Sequence, residues 1–273
     1  MEGDFGKVGG SSSKGKGVKS KLKRKRGEGE GEGDGGGAGV ATKGKRKGAA
    51  AGGWEARWET AEGAAEYLWE TVTEERGPGL TSAPEAGRFL VPEGSRGVGM
   101  ADAVKAMGPV WRRAFMGDAP PVAPGRPRVL VVCASALRAV DVCKQLGPVL
   151  APRGKDLHVA RLFAKHKKVD DQVHFLHSFK CALAVGTPNR ILRLLEGRPG
   201  ANGKVAPLDL SDLALVIFDL WHDAKGFHVL TLKDTRADVT RLYLDHIHPI
   251  LADTGEGPRL WLRPEASRHV KLG

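Results

Sequence analysis

The chain has 273 residues, a formal charge of +11 and 38 glycines. Eighteen of those glycines, with thirteen Lys or Arg against six Asp or Glu, fall in residues 1–53. That composition has too few apolar side chains to offset the entropy of ordering, so a disordered basic tail is expected there and one core after it. No run approaches eighteen consecutive apolar residues, and the first residues are charged and glycine-rich where a signal peptide is apolar, so no membrane partner is expected.

Within the tail, Lys21, Lys23, Arg24, Lys25 and Arg26 form one basic cluster, and Lys43, Lys45, Arg46 and Lys47 form another. Such runs serve as nuclear localisation signals or contact nucleic acid, whose condensed counterions they release; a merely solubilising tail has the same look. Cys133, Cys143 and Cys181 form no CxxC pair and each sits in an apolar stretch. They read as reduced core residues and imply neither a disulfide frame nor a zinc site.

From Trp54 the residues Trp54, Trp58, Ala61, Ala65, Leu68 and Val72 recur at spacings of three and four, which predicts a helix ending at Gly77, Pro78 and Gly79. Residues 80–100 carry Gly or Pro every few positions and read as irregular, and Met100 to Met116 as a second helix, completing a helical extension over 54–119. Prolines between 120 and 127 mark the next boundary. Beyond it, apolar β-branched runs at Arg128–Cys133, His158–Phe163, Cys181–Val185, Leu213–Phe218 and Arg259–Leu262 predict strands. Helical periodicity fills Ser135–Leu146, Asp170–Phe179, Thr187–Glu196 and Thr235–Leu251. Strands alternating with helices predict an α/β fold, a doubly wound parallel sheet over residues 120–263, with 264–273 as a short tail.

Three segments invite a phosphate-loop reading. Gly10 to Gly17 and Gly39 to Arg46 match the first part of GxxxxGK[ST], but neither supplies the Ser or Thr that binds magnesium or lies between a strand and a helix. Gly94, Gly97 and Gly99 supply turn glycines with no predicted strand before them. At the start of the Thr187 helix, Thr187 is placed to cap, Pro188 is preset for the first turn, and the free amides with Arg190 would seat a phosphate. The same residues equally make an ordinary well-capped helix. His166, His174 and His177, or His246 and His248, have no partner at ligand spacing, so no metal is expected.

Leu130 to Ala139, then Val185 to Arg190, then Leu215 to His222 follow the order and spacing of the first helicase domain of DEAD-box proteins. The fuller match is to the Cms-one ribosomal small-subunit family, carried by Glu66 to Leu68, Leu80 to Ser82, Val91 to Glu93, Val129 to Leu137, Leu162 to Val169, Gly186 to Arg190 and Asp219 to Thr235. The resemblance implies a RecA-like domain that has lost its ATPase machinery. Asp219 stands at the first aspartate of the DEAD box, but Leu220 replaces its glutamate and His222 its last aspartate. A non-enzyme without cofactor is therefore expected, in the nucleus and nucleolus, associated with pre-ribosomal RNA and small-subunit precursor proteins. Thr187 and Arg190 match the helicase RNA-gripping turn, with Asn189 in place of its glycine, and Lys165, His166, Lys167 and Lys168 stand where helicases carry a glycine pair. These six are the candidate RNA contacts; the lysines read equally as solvated surface charge. The rival readings are a protein-interaction scaffold that touches no RNA and an RNA-dependent ATPase.

Overall fold

The computed structural model describes residues 57–77, 82–95, 98–115, 121–150, 157–164, 168–197, 206–252 and 257–264. The chain divides into units 1–48 and 49–273, and every described residue belongs to the second. The two basic clusters of the tail lie outside the described residues, as do the first two glycine-lysine segments.

The elements run α1 (Ala61–Arg76), α2 (Met100–Ala106), α3 (Pro109–Phe115), β1 (Val129–Val132), α4 (Ala136–Leu150), β2 (Leu157–Leu162), α5 (Val169–Ser178), β3 (Lys180–Gly186), α6 (Pro188–Glu196), β4 (Leu215–Leu220), α7 (Lys233–Leu242), α8 (His248–Ala252) and β5 (Arg259–Pro264). The five strands form one parallel sheet in the order β2-β3-β1-β4-β5. All residues of β1 and β4 are buried, as expected of strands covered on both faces.

Alternation along the strands divides the core in two. Leu130, Val132, Ala184, Val216 and Phe218 point to a first face, where α1, α5, α6 and α7 pack. Val129, Val131, Val185 and Ile217 point to the second, under α2, α3 and α4. The N-terminal helices therefore complete both layers: Leu68 and Val72 of α1 join the first cluster and Met100 and Trp111 the second, all buried. Each such side chain contributes about 1.5–3 kcal/mol by leaving water. Burial also raises the thiols, to about 11 for Cys143 and about 12 for Cys181, which suits inert core cysteines.

Several boundaries differ from the periodic reading, three of them for a backbone reason. The helix predicted from Trp54 begins at Ala61, because Thr60 caps it, its Oγ1 accepting the Gly63 N–H at 3.0 Å. The helix predicted over 100–116 breaks at Gly108, whose φ of 46° precedes Pro109; proline has no N–H to continue the ladder. In the long last helix Pro249 forces a wide turn at Tyr243–Ile247, where the His248 N–H donates to the Tyr243 carbonyl five residues back. The helix α4 continues through Pro148 to Leu150, whose buried side chain extends the apolar face. Strand β4 begins and ends two residues later than predicted, so Asp219 lies inside it.

A buried histidine helps dock α1. The Leu230 N–H donates to His228 Nδ1 at 3.3 Å, which leaves the proton on Nε2 to donate to Tyr67 Oη at 3.3 Å. Burial, then the neighbouring His222, pushes His228 down to about 3 from 6.5. The unfolded chain takes this proton first, so the histidine's contribution is present above about pH 6.5 and is lost as pH falls towards about 3. Urea midpoints measured at neutral and mildly acidic pH should show His228→Gln less acid-sensitive than the parent, by up to about 1.4 kcal/mol per pH unit in that window. Equal pH slopes would mean that another group sets the dependence.

Candidate functional site

The loop after β1 leads to α4 on the second face, whereas those after its neighbours β3 and β4 lead to α6 and α7 on the first. The carboxyl end of β1 is thus the switch point where open α/β sheets hold ligands. Beyond β5, Phe89 forms a parallel bridge with Leu260, and the Leu90 N–H donates to the Leu260 carbonyl at 2.7 Å. The glycine-bearing segment 94–99 is thus preceded by a short strand-like pairing and followed by α2, the layout of a phosphate loop. A single bridge is too short to show as sequence periodicity, which is why no strand was predicted there.

Side chains of the protein itself fill the position. The first amide of α2, Met100 N–H, donates to Gln145 Oε1 at 2.7 Å, and Gln145 Nε2 donates to Asp141 Oδ2 at 2.9 Å. Arg138 Nη1 donates to that same oxygen at 3.1 Å. Its Nε and Nη2 then grip Asp219, at 2.6 Å to Oδ2 and 3.2 Å to Oδ1. Arg263 Nη1 reaches Asp219 Oδ1 at 3.1 Å, and its Nη2 donates to the Val98 carbonyl at 2.8 Å. The bonds close a circuit from Val98 through β5, β4 and α4 back to the start of α2. Asp219 and Arg263 are fully buried and Arg138 nearly so, with the Trp221 ring 5.4 Å from its guanidinium carbon. Phosphoryl transfer needs carboxylate oxygens open to magnesium and donors open to phosphate. Here both carboxylate oxygens of Asp219 and the first α2 amide are already bonded within the protein.

The candidate RNA residues divide between two environments. Lys168 is exposed at the start of α5, where its N–H donates to Asp171 Oδ2 at 3.2 Å. Lys165, His166 and Lys167 lie outside the described residues. Thr187 is half-buried, its N–H on the Leu162 carbonyl at 3.0 Å; it occupies the cap position of α6 but its hydroxyl makes no capping bond. Arg190 is 8% exposed, and its Nη1 donates to Gln172 Oε1 at 2.6 Å. Burial lowers its pKa from the ordinary value.

The Arg190 bond has a structural purpose. Because the Leu162 carbonyl points to β3, the Arg161 and Phe163 carbonyls point out of the sheet edge. Gln172 Nε2 donates to both, at 2.6 and 3.0 Å, in place of a further strand. Sequence reasoning missed Gln172, Gln145, Arg138 and Arg263. Only Arg263 left a signal, a charge at an inward position of an otherwise apolar strand beside the Asp219 strand.

Residues 117–251 match the family model described as CMS1, U3-containing 90S pre-ribosomal complex subunit. Over this segment, just under half of the chain, the sequence is that of the Cms-one family. It is 33% identical over 129 residues to Protein CMS1 of Chaetomium thermophilum, covering 46% of each chain. It is 36% identical over 115 residues to the human Protein CMSS1, covering 42% of this chain and 37% of that one. The zebrafish (Danio rerio) Protein CMSS1 is 47% identical over 115 residues, 42% of this chain and 35% of its own. The matches thus span less than half the length of these relatives. The family segment contains Arg138, Gln172, Arg190 and Asp219 and stops short of β5 with Arg263.

Proposed function

We propose that this Cms-one chain is a non-catalytic subunit of an early small-subunit pre-ribosomal particle in the nucleolus, binding precursor RNA with a degenerate RecA-like domain over residues 120–263. The observation that carries the non-catalytic reading is the engagement of both Asp219 oxygens by buried arginines. The particle is suggested by the family description, a U3-containing 90S pre-ribosomal complex subunit. Lys165, His166, Lys167, Lys168 and Thr187 are the phosphate contacts in this reading, and the basic clusters of the tail add affinity and nuclear address. Arg190 serves this end by fixing α6 to α5 through Gln172. No cofactor takes part.

The test is fluorescence anisotropy of the full chain with a labelled single-stranded RNA across a range of salt. Changing Lys165, Lys167 and Lys168 together to alanine should reduce the log–log salt slope by about 2, at roughly 0.7 per phosphate contact on single strands. An unchanged slope would remove these residues from the interface. Phosphate release from ATP above background with RNA present, lost in Asp219→Asn, would overturn the non-catalytic reading.

A further inference from the structure

We infer that the cleft along the outer edge of β2 is a second RNA site, one that takes a single unpaired nucleotide with its base against aromatic rings and its phosphate on Arg161. The cleft measures about 340 Å³ and lies between α4 and α5, with Gly147 and Cys143 on one side and Gln172 and Phe175 on the other. It runs along the edge next to Thr187 and Lys168: its lining residue Leu162 accepts the Thr187 N–H at 3.0 Å, and its lining residue Gln172 donates its backbone N–H to the Lys168 carbonyl at 3.4 Å. The inference rests on the RNA-binding reading above and adds where, and by what chemistry, a base is held.

The lining makes the choice of occupant. Arg161 is the one Lys or Arg in it, is exposed, and forms no ion pair among the described residues, so the cleft favours an anion. His158 and Phe175 line it in contact with each other, ring centroids 6.0 Å apart in edge-to-face geometry. Phe179 extends this apolar floor, 4.8 Å from Phe175 and 4.9 Å from His158, and is 41% exposed. Lys180 and His177, both exposed, adjoin Phe179 in the chain. Aromatic rings in a basic surround are how single-stranded RNA is held, by stacking and phosphate contact together.

An extended peptide adding a strand is the competing occupant of any open sheet edge. Gln172 argues against it, because its amide already occupies the outward Arg161 and Phe163 carbonyls that such a strand would need. A strand added here would have to share both acceptors with Gln172, whereas a base edge needs only one or two hydrogen bonds.

The experiment uses the full chain and a fluorescein-labelled oligouridine, with Phe179→Ala and Arg161→Gln as variants. Arg161 is exposed, so Arg161→Gln should keep the parent's thermal midpoint; Phe179→Ala gives up its ring contacts with Phe175 and His158 and should lower the midpoint slightly, with the far-UV circular dichroism unchanged. Phe179→Ala is expected to weaken binding about tenfold, and Arg161→Gln to lower the salt slope by about 0.7. Crosslinks from 4-thiouridine in the same RNA should map to residues 157–179. Parent-like binding by both variants, with crosslinks elsewhere, would overturn the cleft site while leaving the RNA reading intact. A parent chain that binds no oligouridine would overturn both. Loss of protein neighbours from the purified particle, with oligouridine binding unchanged in the variants, would assign the edge to a docked peptide instead.

Discussion

Replacing Asp219 by alanine is expected to cost about 3–5 kcal/mol of folding stability, the usual loss when one partner of a buried ion pair is removed. The carboxylate is fully buried between Arg138 and Arg263, and its removal leaves Arg138 with the exposed Asp141 carboxylate and Arg263 with no carboxylate partner among the described residues. Urea unfolding followed by tryptophan fluorescence measures the loss directly. A companion variant isolates the cause: changing Arg138 and Arg263 to Met and Asp219 to Leu together removes all three charges. Buried ionic clusters replaced by apolar groups are often neutral or more stable, so the triple variant should recover most of what the alanine loses. A stable Asp219→Ala protein would show that the ring is incidental to the fold, and the position would again be open to a nucleotide.

The second large effect is expected at Gly186. A Cβ there would lie 2.5 Å from the Leu162 carbonyl oxygen, 2.7 Å from its Cβ and 3.0 Å from Ile191 Cγ1. The obstructing oxygen is backbone, and the sheet holds it in place, since the Thr187 N–H donates to it. Gly186→Ala should therefore destabilise by roughly 1–3 kcal/mol through overpacking and open the β2–β3 junction. Faster amide exchange at Thr187 than in the parent would report this opening; parent-like stability would mean that β2 yields easily.

Most of the architecture was legible because the strands alternate or run apolar and the helices repeat every three to four residues. The parallel α/β sheet and its five strand segments follow from those patterns. Misplaced boundaries fall where proline or a threonine cap overrides periodicity, as at Pro109, Pro249 and Thr60. The docking of the extension was not legible, because Trp58, Leu68 and Met100 announce that they pack without saying against what.

The site was legible only in part, and for a different reason. Spacing reveals motifs that act through consecutive residues, such as Gly186 to Arg190. It does not reveal a circuit that joins Val98, Arg138, Asp141, Gln145, Asp219 and Arg263 across the sheet. Arg190 illustrates the limit: its resemblance to a helicase Thr-Pro-x-Arg turn was visible, whereas its burial against Gln172 depends on how α5 meets α6.

The bond from Arg263 to the Val98 carbonyl joins residues 165 positions apart, and the Leu260 bridge ties Phe89 to the same final strand. During synthesis, then, the earliest ordered helices must wait without their full set of neighbours until the last strand has left the ribosome. Contacts so distant in sequence slow folding and lengthen the time for which apolar surface is open to other chains. A chaperone requirement while the polypeptide is nascent is the expected consequence of tying residues 89–98 to β5.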